Sequence, residues 1–498
     1  MSAAPPPTGQ PPADNRRAWW GLTVLLLPVL LVSMDVSVLF LAMPTIVDAL
    51  DPSATGQLWI LDIYGFLIAG LLITMGNLGD RIGRRRILFL GAALFGAASV
   101  LAAFAPSTAL LIAARALMGV GGATLMPASL ALIANMFPDG RSRARAIGIW
   151  TSAFAGGAAL GPVIGGMLLH HYWWGVVFLI NVPVLAILFA VGPFVLPEYR
   201  SPSSEPFDVI GVLLSMLGLL PAVYSVKSLA TEGLSTAAVI TGLFGLAMLL
   251  TFLWHESRTP APLLNLRLFR NPIFSAALAI ALVGIMVEAG IAYLANVYLQ
   301  SVLGHDVLAA ALAGLPMAIT IAVFSITADR VARLVGVRAA LVGSVLLAGI
   351  ANFGYLAMTP SSPLWIFLLI SAVAGVGYGV IFALVTDVVV GAAPPEQSGA
   401  ASAISETCFE LGTSLGLALL GSIATAVFIA DREGRGFSDS LGETLKQASE
   451  LGSAGQATID AARAAFVDGL HVAAGVGGSA LLVLAAVVLA ALRGATRP

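Results

Sequence analysis

Six carboxylates fall inside apolar runs of this chain: Asp35, Asp62, Glu288, Asp387, Glu406 and Glu410. In a bilayer such a group costs at least ~2.5–3.5 kcal/mol on insertion scales, so its presence points to ion or substrate handling. Glu406 and Glu410 are four residues apart and share one helix face. Two like charges one turn apart repel, so the pair tends to hold a proton at neutral pH. A lipophilic cation entering between them would discharge that proton, and exchange of cation for proton then follows from electrostatics. Arg115 also lies within an apolar run. An unpaired buried guanidinium is very costly, which directs it to Asp35, to Asp62 or to backbone carbonyls. A nearby cation favours the carboxylate and burial favours the acid, so movement between two such settings lets Asp35 take up and release a proton.

The remaining acids carry more than one reading. Asp387 lies close to the end of its run, which suits a solvated or paired carboxylate as well as a functional one. Glu288 either takes part in the chemistry or faces a polar crevice. Asp62 either meets the cation or lines the mouth of the path without titrating. Trp59 and Phe66 flank Asp62 at helical spacing, Phe409 adjoins Glu410 and Met34 adjoins Asp35. These side chains offer cation–π and thioether surfaces, or ordinary packing.

The elements that must hold these groups are membrane spans. The chain is 59% hydrophobic and only 10% charged, with a mean hydropathy of +0.97. Soluble domains are roughly 25% charged, so this composition needs lipid as solvent. Apolar runs of about 20 residues occur near 21–43, 57–78, 87–105, 108–134, 145–168, 174–195, 207–226, 236–255, 272–299, 309–328, 338–358, 363–391, 399–429 and 470–492. With a cytoplasmic N-terminus, the inside segments hold 18 of the 24 basic residues and the outside segments five, with Arg115 in the fourth span. That asymmetry sets both termini in the cytoplasm. Asp35 and Arg115 then lie at nearly the same depth, Asp35 about eight residues or ~12 Å from the outer end of its span.

The pattern Gly79-Asp80-Arg81-Ile82-Gly83-Arg84 after the second span returns as Ala328-Asp329-Arg330-Val331-Ala332-Arg333 after the tenth. It suggests two six-helix halves. The expected organisation is a disordered cytoplasmic tail over 1–20, a bundle over 21–198, an inserted helix pair over 199–271 and a second bundle over 272–498. The outside segment 430–469 forms either short amphipathic helices against the outer mouth or an unstructured loop.

Several stretches together resemble the major facilitator superfamily. The segment GNLGDRIGRRRIL (76–88) resembles its motif A, and Arg115-Ala116-Leu117-Met118-Gly119-Val120-Gly121-Gly122-Ala123 its motif B. Gly157, Gly161, Pro162, Gly165 and Gly166 resemble motif C, which marks drug–proton antiporters rather than importers. Met34-Asp35-Val36-Ser37 with Ala42-Met43-Pro44, LWILDIYGFLIAG (58–70) and Ser405 to Gly412 are similar to the fourteen-helix branch and its QacA and SmvA type of quaternary-ammonium exporters. The resemblance implies an all-α polytopic membrane protein with the major facilitator fold and 14 transmembrane helices, six plus two inserted plus six. It implies proton coupling at Asp35, Arg115 and Glu406, and substrate contact at Asp62, Glu406, Glu410, Trp59 and Phe409. It further implies a cytoplasmic latch at Gly76, Asp80, Arg81, Gly83 and Arg84. Ser405 and Ile321 stand where chains of that type carry further acids, which argues against efficient export of dications.

The expected function is proton-coupled export of lipophilic cationic drugs across a bacterial inner membrane by a monomer, with protons, hydrophobic cations and the bilayer as partners. Export of a self-made antibiotic or other metabolite on the same scaffold is the alternative. No cofactor or metal is expected, since there is one cysteine, Cys408, and no HExxH pair. The absence of a GxxxxGK[ST] loop argues against an ATP-driven pump, and the absence of a GxSxG elbow against a serine hydrolase. A net charge of −2 gives no reason to expect nucleic acid.

Overall fold

The computed structural model describes residues 15–52, 54–200, 208–232, 235–259, 262–264, 266–393, 398–430, 437–438 and 441–493. Among the described residues there are 14 helices long and apolar enough to cross a membrane. They are α1 (Asn15–Leu50), α2 (Ala54–Ile82), α3 (Arg84–Ala103), α4 (Thr108–Met136), α5 (Gly140–His171), α6 (Val176–Val195) and α7 (Val209–Glu232). There follow α8 (Thr236–Glu256), α9 (Pro272–Val302), α10 (Ala309–Val335), α11 (Val337–Phe353), α12 (Leu364–Ala392), α13 (Ser398–Ala430) and α14 (Gln456–Arg493). In lipid every backbone polar group must be satisfied within the segment, so apolar runs of this length become helices. Their ends follow local chemistry. Ser107 accepts from Leu110 N at 3.4 Å to cap α4, and Asp139 accepts from Ser142 N at 3.0 Å to cap α5.

Two buried apolar cores form. One is built from α1 to α6 and includes Leu25, Tyr64, Phe95 and Met118. The other is built mainly from α9 to α14 and includes Phe274, Val345, Ile381 and Leu481. Between them in sequence, α7 and α8 pack on each other, with Ser225 donating to Ala238 O at 2.7 Å. Their ends near the arginine-rich loops are pinned by Asp208 to His255 at 2.9 Å and by Leu264 N donating to Glu256 at 2.8 Å. α7 also touches α2 and α13.

Two expectations need correction, and an alternative left open is decided. The expected tail 1–20 is helical from Asn15, where Arg17 donates to Phe194 O at 2.9 Å; residues 1–14 lie outside the described residues. α1 continues to Leu50 instead of ending near 43, so Asp35 sits about 22 Å from the helix end at 1.5 Å per residue. Of the two alternatives for 430–469, the short amphipathic helix is the one formed among the described residues: Leu441–Glu450 buries Leu441, Thr444 and Ala448 on one side, and α14 already begins at Gln456. Asp460, Arg463 and Asp468 conceal that extension from hydropathy, while its alanines favour helix.

The repeated sequence pattern has a structural counterpart. Arg84 pairs with Asp80 and Arg333 with Asp329, both one turn apart. The chain breaks differently after each pair. Gly83, at φ 115°, separates α2 from α3, whereas α10 runs through Ala332 and the break falls on Gly336 at φ 85°. Such angles suit glycine because a Cβ would clash.

Candidate functional site

Small residues bring α1, α2, α4 and α5 close enough for one ion pair to be enclosed. A Cβ on Gly157 would stand 2.8 Å from Leu30 O, and one on Gly161 3.1 Å from Met34 O, so α5 lies directly on α1. Gly165 meets Val38 in the same line, whereas Gly166 has only ordinary contact at 3.5 Å and Pro162 lies inside the helix. With Leu30, Met34 and Val38 held against α5, Asp35 projects from a different face of α1, toward α4. On α4, Gly119 would place a Cβ 2.8 Å from Tyr64 O, so α2 packs equally close.

Asp35 accepts a hydrogen bond from Arg115 Nη1 in a salt bridge whose side chains are 4% and 0% exposed. Arg115 Nε donates to Ile60 O at 3.2 Å, and its guanidinium lies 4.4 Å from the Tyr64 ring centre. Among the described residues, Arg115 Nη2 and the Tyr64 hydroxyl are buried without hydrogen-bond partners. A cation over an aromatic face is stabilised by about 2 kcal/mol when desolvated. The pair is therefore held but incompletely satisfied, the condition expected of a group that exchanges partners. Tyr64 carried no sequence signal beyond its apolar neighbours.

α13 packs against α2 and α4 and brings the second set of acids to this seam. Glu410 is partly buried and its charge reaches Tyr64. Glu406 is 6% exposed, with Oε1 buried and, among the described residues, without a hydrogen-bond partner. Ser405 beside it is fully buried, and Ile321 is buried in α10. Phe409 meets Phe382 edge-on at 5.7 Å, and Phe382 stacks on Tyr378 at 5.8 Å. Trp59 is 38% exposed and meets Phe66, which in turn meets Tyr224 of α7. Asp62 lies on α2, and its side chain is outside the described residues. Glu288 lies apart, on a cavity within the second core.

The arginine-rich ends of the two halves are locked together. Asp80 bonds Arg84 at 2.9 Å and accepts from Ala400 N at 3.3 Å, placing a carboxylate at the positive end of α13. A Cβ on Gly76 would stand 2.7 Å from Gly399 O, so α2 and α13 touch backbone to backbone. Arg84 is fully buried, donates to Ala131 O at 3.1 Å and lies 4.7 Å from the Tyr199 ring centre; Arg81 is half-buried nearby. Arg143 of α5 bonds Asp387 of α12 at 2.9 Å, and Ser152 donates to Ala322 O at 2.7 Å. Asp387 is thus paired across the halves. Its partner went unremarked in sequence because Arg143 reads as one more basic loop residue.

Residues 25–417 match the Major Facilitator Superfamily profile. The chain is 39% identical over 487 residues to the multidrug efflux pump LfrA of Mycolicibacterium smegmatis, covering 96% of this chain and 97% of that protein. It is 34% identical over 481 residues to the methyl viologen resistance protein SmvA of Salmonella typhimurium, covering 94% and 97%. The human organic anion transporter MFSD10 has a similar fold, with a TM-score of 0.63 at 16% identity over 96% of this chain and 100% of that one. With its fourteen apolar helices, the chain is a multi-pass membrane protein that belongs to the Major Facilitator Superfamily.

Proposed function

We propose that this protein exports lipophilic organic cations from a bacterial cytoplasm in exchange for protons. The observation that carries the reading is the enclosed Asp35–Arg115 pair under the Tyr64 ring, with Tyr64 and Arg115 on α2 and α4, against which the acid-bearing α13 packs. The similarity to a multidrug efflux pump and to a methyl viologen resistance protein supports a drug-like cation as cargo. A proton arriving on Asp35 removes the charge that holds Arg115. A cation arriving beside Glu406 and Glu410 takes the place of a proton there. The arginine-rich face is taken as cytoplasmic by the distribution of Lys and Arg, so the latched arrangement is the conformer closed to the cytoplasm. Each full cycle that moves one net charge down 100 mV gains roughly 2.3 kcal/mol, enough for about a fifty-fold gradient.

The test is efflux of ethidium and of the singly charged quaternary ammonium benzalkonium from cells, with and without a protonophore, for wild type, Asp35→Asn and Glu406→Gln. Wild type should export both and stop when the proton gradient collapses, and each variant should retain less than a tenth of the rate. Efflux indifferent to the protonophore would rule out proton exchange. Export of neither cation would point to a different cargo.

A further inference from the structure

Glu288 is a half-buried acid that the seam between the halves does not use. It projects from the middle of α9 into a cavity of about 220 Å³ lined also by Asn352 and Tyr355, Phe367 of α12, Tyr378 and Asn296. Among the described residues no hydrogen bond or ion pair holds its carboxylate. Tyr355 and Tyr378, which line the same cavity, are 3% and 1% exposed. The Tyr378 hydroxyl is oriented by Asn352 Nδ2 at 3.0 Å, and the Tyr355 and Phe367 rings meet at 6.3 Å. One rim of the cavity is the end of α9, where residues Tyr298–Val302 form a π-helical turn. Such turns interrupt α-helices mostly at functional positions.

A desolvated carboxylate facing open space among aromatic rings is unsatisfied as it stands. One acid, two amides and two phenols make a poor metal site, since calcium takes six to eight oxygens, several of them carboxylate, and zinc prefers nitrogen and sulfur. The same set suits a diffuse organic cation, which is recognised by aromatic faces and a single countercharge. Drug-sized pockets measure roughly 300–1,000 Å³, so this smaller cavity fits a cationic head group rather than a whole drug. We propose that this cavity is a second cation site, taking a quaternary ammonium or protonated amine head group, separate from the Asp35, Arg115 and Glu410 seam. It rests on the reading of the protein as a cation exporter. The aromatic line Phe409–Phe382–Tyr378 connects the cavity wall to the acid-bearing α13.

The experiment is equilibrium dialysis of radiolabelled tetramethylammonium against the purified full chain in detergent. Wild type, Glu288→Gln, Glu288→Asp, Glu406→Gln and Ala292→Trp are compared, the last filling the cavity from its exposed α9 side with Glu288 intact. A binding event present in wild type and Glu406→Gln should weaken about tenfold or more, or 1.4 kcal/mol, in Glu288→Gln. It should vanish in Ala292→Trp and be partly kept in Glu288→Asp. Should Glu288→Gln fail to fold, Ala292→Trp decides. Undiminished binding in the folded variants overturns the proposal, and so does a wild type that exports ethidium but binds no tetramethylammonium. A wild type that exports no cation overturns the export reading, whereas intact export with binding indifferent to Glu288 overturns only the second site.

Discussion

Replacing Asp35 by Asn would leave the Arg115 guanidinium charged, fully buried and short of its counter-ion. Among the described residues that group has the Asp35 carboxylate, one carbonyl at 3.2 Å and the face of Tyr64, while Nη2 has no hydrogen-bond partner. The carbonyl and ring are already engaged, so neither compensates for the lost charge. Removing one partner of a buried pair costs roughly 3–5 kcal/mol, or about two to three and a half powers of ten in the unfolding equilibrium. Replacing both partners by neutral side chains, as in Asp35→Asn with Arg115→Met, removes the penalty and should restore stability to wild type or above. Transport should not return, because the proton-accepting group is gone. Unfolding of purified protein in mixed micelles by dodecyl sulfate, followed by circular dichroism, measures the first effect. Proton-driven ethidium uptake into inverted vesicles measures the second. A single variant as stable as wild type would refute the enclosed pair, and a double variant that transports would make the pair purely structural.

Three further predictions follow from the contacts around the site. Arg143→Ala removes a charged hydrogen bond between the halves that is worth about 1.5 kcal/mol; spin labels at Arg141 and Leu334 should show a roughly tenfold larger population of the separated state, and an unchanged distance distribution would count against the latch. In α5, Gly157→Ala meets Leu30 O at 2.8 Å and should cripple export, whereas Gly156→Ala has nothing within 4 Å and should be silent or stabilising; equal export by both would contradict the α1–α5 seam. Hydrogen bonds from the Ser142 N–H and hydroxyl hold the exposed Asp139 carboxyl below its ordinary value of 3.8. The α5 cap is therefore fully effective above that value and weakens as pH falls through the lowered one. The difference in thermal unfolding between wild type and Asp139→Ala should shrink only at that acid end, and a difference that persists there would exclude the cap.

The amino-acid sequence by itself determined that fourteen segments need lipid, because an apolar run of twenty residues has no other stable setting. It also identified Asp35, Arg115, Glu406 and Glu410 as anomalous, because a charge in hydrocarbon is costly wherever it falls. The motif A acid and glycine were equally legible, since a turn at φ 115° and a backbone-to-backbone crossing leave glycine at Gly83 and Gly76. Only the tertiary structure paired Arg115 with Asp35, because sequence depth alone left several partners within reach of its helix. The same holds for Tyr64, whose importance comes from α4 glycines that admit it, and for Arg143 with Asp387, separated by 244 residues. It holds for Glu288 as well: a mid-helix acid gives no sign of whether it faces protein, lipid or space, and the rings around it come from α12 and from the turn after α11. Periodicity and hydropathy report each helix alone, whereas the partners of a buried charge are fixed by how helices distant in sequence cross.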